Sequence, residues 1–104
     1  MNPWLIVVIA GLMETGWAIG LKYSDGFTRL WPSVLTIAGA VASFWLLSTA
    51  MKSLPVGMTY AVWVAIGMVG TALAAALLFD EPLGLLRVAG IGLILVGIAL
   101  LKMA

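Results

Sequence analysis

The sequence predicts an all-α membrane protein with four transmembrane helices per protomer, and three observations carry that expectation. Of its 104 residues, 64% are hydrophobic and only 9% charged. A soluble domain of this size keeps most of its residues in contact with water and needs far more polar surface. The hydrophobic residues fall into four runs, each close to the roughly 20 residues that span a hydrocarbon core. The charges are also segregated. Lys22, Asp25, Arg29, Lys52, Asp80, Glu81, Arg87 and Lys102 lie at or beside breaks between runs, and Glu14 alone lies inside one.

The first helix is expected over 3–21. This run lacks a basic leader, carries an acid at its centre and is followed by three more runs, so it reads as a retained helix rather than a cleaved signal peptide. The second is expected over 33–51, with Pro32 as a first-turn proline. The third covers 57–79, after Pro55-Val56-Gly57. The fourth covers 83–103, with Arg87 placed to snorkel toward the interface. Trp4 and Trp31 read as members of an aromatic belt at headgroup level. The connections, 22–31, 52–56 and 80–82, are short, so neighbouring helices run antiparallel in a single four-helix domain over 1–104.

With an even number of spans, the termini and the middle connection share one side, which holds Lys52 and Lys102. Lys22, Arg29 and Arg87 lie on the other. Two positive charges against three is almost no positive-inside bias, so the chain is free to insert both ways round. That permits an antiparallel, dual-topology homodimer. A dimer also answers a packing question: four helices alone leave little room for a water-filled cavity, yet an ionisable residue at depth must face protein or water. On the fourth helix, Gly90 and Gly97 are seven residues apart, on one face, with Ile94 between them. Small residues let helix backbones approach closely in lipid, so these three are the expected dimer seam.

Glu14 is the residue that points to function. From Trp4, ten residues of helix place it about 15 Å into the membrane, half of a roughly 30 Å core. A charge there costs about 2.5 kcal/mol or more, which makes an intramembrane acid a functional candidate by default. Its neighbours three and four residues away are Ala10, Gly11, Trp17 and Ala18, a face of small residues plus one indole. On the third helix Gly57, Tyr60, Trp63 and Gly67 line one face at helical spacing, and on the second Ser43 is a mid-membrane hydroxyl. Such an aromatic stripe is also what ordinary core packing produces. Beside an acid, however, the set suits an organic cation: the carboxylate supplies charge, the rings supply cation–π attraction, and Ser43 or Tyr60 can orient the carboxylate.

Other chemistries find little support. There is no Cys, hence no disulfide framework or thiolate metal site, and no His, the commonest general base and metal ligand. No phosphate-binding motif is present, so no enzymatic role, cofactor or metal is expected. A net charge of +1 offers nucleic acid no basic patch. Burial penalises the charged form of a carboxyl group, and a second carboxylate nearby penalises it further. Protons and a cation would then compete for paired Glu14 side chains. If the dimer exchanges inward-open and outward-open forms only when loaded, the outcome is proton-coupled antiport. A passive cation channel around Glu14 and a structural membrane subunit are the other classes the composition allows.

Several stretches resemble the small multidrug resistance family over essentially the whole chain: Met13-Glu14, residues 22–33, Leu54-Pro55-Val56-Gly57 and Tyr60-Ala61-Val62-Trp63. The resemblance implies four helices per protomer in an antiparallel dimer of the bacterial plasma (inner) membrane, exporting cations against protons. It implies that Glu14 binds substrate and proton, that Tyr60 and Trp63 line the site, that Ser43 contacts or orients the carboxylate, and that Gly90 and Gly97 belong to the dimer helix. Gly11 and Trp17, from the face of Glu14, are expected to line the site with them, and Ile94 to join the seam.

The family has a branch exporting guanidinium and small guanidinyl compounds, and another exporting quaternary ammonium and aromatic cations. Trp17 one turn after Glu14, residues 20–24, Phe79-Asp80-Glu81-Pro82 and Leu101-Lys102 look like the guanidinium branch. Residues 27–33 and 43–47 look equally like the multidrug branch. After Trp63, where the guanidinium branch usually has Thr-Gly-Ile-Gly, this chain has Val64-Ala65-Ile66-Gly67. Guanidinium donates paired hydrogen bonds to a carboxylate, whereas a quaternary ammonium donates none and relies on aromatic surface. Trp17 and Ser43 therefore favour guanidinium, with multidrug export as the alternative.

Overall fold

A computed structural model of the chain describes residues 2–103. It contains four helices, α1 (Pro3–Tyr23), α2 (Leu30–Ala50), α3 (Val56–Leu78) and α4 (Leu85–Met103), and no strand among the described residues. Each is long and apolar enough to cross a membrane. In hydrocarbon every backbone polar group must be satisfied inside the segment, and an uninterrupted helix does this.

The ends of the helices follow from local chemistry. Asn2 caps α1, its side-chain oxygen accepting from the Trp4 N–H at 2.9 Å, and Pro3 occupies the first turn, where a missing N–H costs nothing. The α1–α2 turn passes through three consecutive residues at positive φ, Asp25 (49°), Gly26 (71°) and Phe27 (65°). Ser24 holds it: its hydroxyl donates to the Leu21 carbonyl at 2.7 Å and accepts from the Phe27 N–H at 3.2 Å.

Helix α3 begins one residue earlier than expected, at Val56, and two other helix starts differ by more. Helix α2 begins at Leu30 rather than 33, because Arg29 already adopts an extended cap conformation and its carbonyl receives the Ser33 N–H at 3.1 Å. Pro32 falls inside the first turn, as expected. Helix α4 begins at Leu85 rather than 83. Asp80 takes a positive φ of 53° after α3, and Pro82 follows, so the chain stays non-helical through Gly84. Arg87 donates to the Pro82 carbonyl at 2.8 Å, closing this connection.

Helices α1, α2 and α3 pack together, and a cluster of Val7, Ala10, Leu47, Ala50, Val62 and Trp63 forms the buried core. The seams rely on small residues, since lipid offers no hydrophobic drive for helices to associate. At Gly11, an added Cβ would stand 2.7 Å from Ile66 Cγ2, so only glycine lets α1 come this close to α3. Helix α4 is different: its backbone lies along α3 alone, and no α4 residue is buried. Its side chains reach back at Ile98, against the core cluster, and at Lys102, whose Nζ sits 5.6 Å from the Trp4 ring centroid. The result is a flat slab, 41 × 35 × 19 Å.

Candidate functional site

The Glu14 side chain enters the seam between α1 and α3 because Gly67 leaves room for it. A Cβ on Gly67 would overlap the carboxyl carbon and Oε2 of Glu14. One residue on, the Thr15 hydroxyl donates to the Gly67 carbonyl at 3.4 Å, and Gly70 makes space for the same Thr15 side chain. Two glycines three apart on α3 thus receive two consecutive polar side chains of α1.

The carboxyl opens onto a cavity of about 450 Å³ between α1 and α3. Its Oε2 is enclosed and has no hydrogen-bond partner among the described residues. An ionised carboxylate in that condition is costly, so a proton or a bound cation relieves it.

Ser43 is placed differently from expectation. It is fully buried, and its hydroxyl is committed elsewhere: it donates to the Ala10 carbonyl at 2.8 Å and accepts from Trp63 Nε1 at 3.1 Å. It ties α2 to α1 and α3 and makes no hydrogen bond to Glu14 within one chain. The reason is geometric. The free carbonyl lone pair of Ala10 and the indole N–H of Trp63 converge on one small side chain, which can serve both.

Trp17 likewise makes no hydrogen bond to Glu14. Its buried Nε1 has no partner among the described residues, and its Cβ would lie 3.3 Å from a Cβ on Gly39 of α2. The indole faces a second cavity, about 540 Å³, between α1 and α2. The buried Thr36 hydroxyl, also unpartnered among the described residues, lines the same space.

The aromatic residues form one continuous run across three helices. Ring centroids are 6.1 Å apart for Trp17–Phe44, 5.4 Å for Phe44–Trp63 and 5.5 Å for Trp63–Tyr60, each pair tilted by 42–45°. Trp63 is buried and Tyr60 is half exposed. Trp17, Ser43, Tyr60 and Trp63 do not line the Glu14 cavity, so within one chain the structure holds two groups side by side: the acid seated on Gly67, and the aromatic run anchored by Ser43. Gly11 supports both, since it allows α1 to approach Ile66 and the Trp63 carbonyl. On α4, a Cβ at Gly90 or Gly97 would meet nothing within 4 Å; Gly90 and Ile94 line a third, shallow cavity of about 290 Å³ with Arg87.

Phe44, Thr15 and Gly70 were not picked out from the sequence. Phe44 is one of four consecutive large apolar residues, 44–47, and nothing in their types marks which one meets the indoles of α1 and α3. Thr15 and Gly70 carry a signal only once α1 and α3 are aligned.

Comparison with known proteins agrees with this architecture. The chain is 56% identical over 101 residues to the guanidinium exporter of Yersinia pestis, covering 97% of each chain. It is 52% identical over 101 residues to the guanidinium exporter of Escherichia coli strain K12, covering 97% of this chain and 96% of that one. The profile of the Small Multidrug Resistance protein family matches residues 2–94. A four-helix chain with one intramembrane acid, it belongs to the small multidrug resistance family of multi-pass inner-membrane proteins.

Proposed function

We propose that this protein exports guanidinium and small or substituted guanidinyl cations in exchange for protons, working as an antiparallel homodimer in which two Glu14 side chains share the cargo. The observation that carries the reading is the enclosed, unpartnered Oε2 of Glu14. Guanidinium presents two parallel N–H donors and needs both oxygens of a carboxylate. The ordering by Ser43 and Trp17 expected from the sequence is not what favours guanidinium, since neither side chain bonds the carboxyl within one chain. Here both side chains leave it free, and Gly67 fixes its position by packing instead.

The relatives named as guanidinium exporters support the substrate class. Exchange follows from loading. An empty, ionised Glu14 at this depth is the costly state, whereas a proton or a cation each neutralises it, so the loaded forms are the ones able to reorient. The uncovered glycine face of α4 supports the second protomer, and the balance of Lys and Arg between the two sides supports opposite insertion.

Currents on solid-supported membranes, recorded for guanidinium, a substituted guanidinium and a tetraalkylammonium, test this. Wild-type protein is expected to carry the first two, and Glu14→Gln none. Currents for tetraalkylammonium without guanidinium would instead make the Tyr60–Trp63–Phe44–Trp17 run the binding surface of a multidrug exporter.

A further inference from the structure

The cavity beside Glu14 continues beyond the carboxyl. On α1 its wall follows Glu14, Ala18 and Lys22, each four apart and so on one face. On α3 it follows Gly67, Thr71 and Ala75, and at the cap of that helix Phe79, again four apart. Small side chains on both rows leave a slot that runs from the mid-membrane acid to the end of α1. Its length is about 12 Å, the rise of eight helical residues. Thr71 supplies a hydroxyl partway along, and Glu81, from the α3–α4 connection, reaches the outer end.

What occupies that outer end is the protein's own cation. Lys22 Nζ lies 4.7 Å from the centroid of the Phe79 ring, and Tyr23 packs on the same ring at 5.4 Å. A lysine at the end of a membrane helix ordinarily extends into water. Lys22 stays exposed, and its ammonium also lies over an aromatic face at the end of a cavity that leads to an acid. An organic cation entering from that side meets a like charge and a ring face already taken.

We propose that Lys22 seated on Phe79 is the outer gate of this slot, and that Glu81 is the acid toward which the ammonium swings when a compact organic cation passes between water and Glu14. The proposal rests on the transport reading for the nature of the cargo, though not for the gate itself. It makes Lys22 and Phe79 determinants of selectivity. A planar, weakly hydrated guanidinium stacks on an aromatic face and can take the ring from an ammonium. A strongly hydrated inorganic cation cannot, and is turned back.

The gate can be tested without any cargo, by carbodiimide labelling of Glu14 in the full-length protein in liposomes, quantified by peptide mass spectrometry. A water-soluble cationic carbodiimide must enter through the mouth, whereas a lipid-soluble neutral one arrives from the bilayer. The quantity read is the ratio of the two labelling rates at Glu14. Lys22→Gln and Phe79→Leu are expected to raise that ratio about fivefold to tenfold, on the scale a cation–π contact supports. Lys22→Arg, which keeps a cation on the ring, is expected to leave it within about twofold. An unchanged ratio in Lys22→Gln overturns the gate, as does an equal rise in Lys22→Arg. A variant that is merely loosened gains with both reagents, leaves the ratio flat and counts against the proposal. Absence of guanidinium current in the wild type would sink the transport reading and leave this ratio to decide the gate.

Discussion

The Glu14 carboxyl group fills the space that a Cβ on Gly67 would take, so the acid on α1 is held by an absence of side chain on α3. Gly67→Ala is therefore expected to push the carboxyl out of its seat rather than to unfold the chain. Guanidinium current should fall at least tenfold, about 1.4 kcal/mol at the binding step, while helical content by circular dichroism stays at the wild-type level. Wild-type currents in Gly67→Ala would show that the carboxyl does not need this seat.

Proton and cation exclude one another at Glu14 in the proposed exchange, and the sign of the pH effect follows. Lowering pH fills the carboxyl with protons and weakens apparent cation affinity; raising it has the opposite effect until the carboxyl is fully ionised. For a single competing proton, the apparent Kd should rise up to about tenfold per unit of falling pH. Calorimetric titration of guanidinium at several pH values measures this. A Kd independent of pH would remove the coupling.

Ser43→Ala removes the acceptor of the Trp63 indole N–H and the donor to the Ala10 carbonyl in one step. The expected stability loss is about 1 kcal/mol, with the buried indole N–H left unsatisfied. Combining it with Trp63→Phe should cost less than the sum of the two single changes, because the pair shares one hydrogen bond. Denaturant unfolding in detergent gives the cycle. Additive losses would mean that the two side chains act separately.

Helix α4 offers a clean test of the proposed dimer. A side chain at Gly97 meets nothing within 4 Å in its own chain, so Gly97→Leu should leave the protomer intact. It should nevertheless abolish the dimer, seen as a shift to the monomer mass in native mass spectrometry. Retention of the dimer would move the seam away from the Gly90–Ile94–Gly97 face.

Much of the fold was legible because membrane helices announce themselves by length and by where their charges stop. The four spans and the isolation of Glu14 needed no tertiary information. The starts of α2 and α4 were less legible. Pro32 is compatible with several positions in a first turn, and the positive φ at Asp80 that delays α4 is a backbone choice with only a weak sequence signature. Within the site, Glu14 and the aromatic stripe were visible as types and spacings. The partner of Ser43 was not, because a hydroxyl in an apolar helix can turn to any carbonyl the fold brings near, and Ala10 carries no mark of being that one. Phe44 was hidden for the opposite reason: it is one of several large apolar side chains in a row on α2, so packing on the protein and exposure to lipid look alike.

The unburied α4 has a consequence for gene dosage. If a protomer finds the seat for its last helix only on a second chain, assembly is a second-order process in the plane of the membrane. At low expression, export capacity should then climb with the square of copy number rather than in proportion to it. A cell holding only a few chains would have almost no exporter, and resistance to the cargo would switch on over a narrow range of expression.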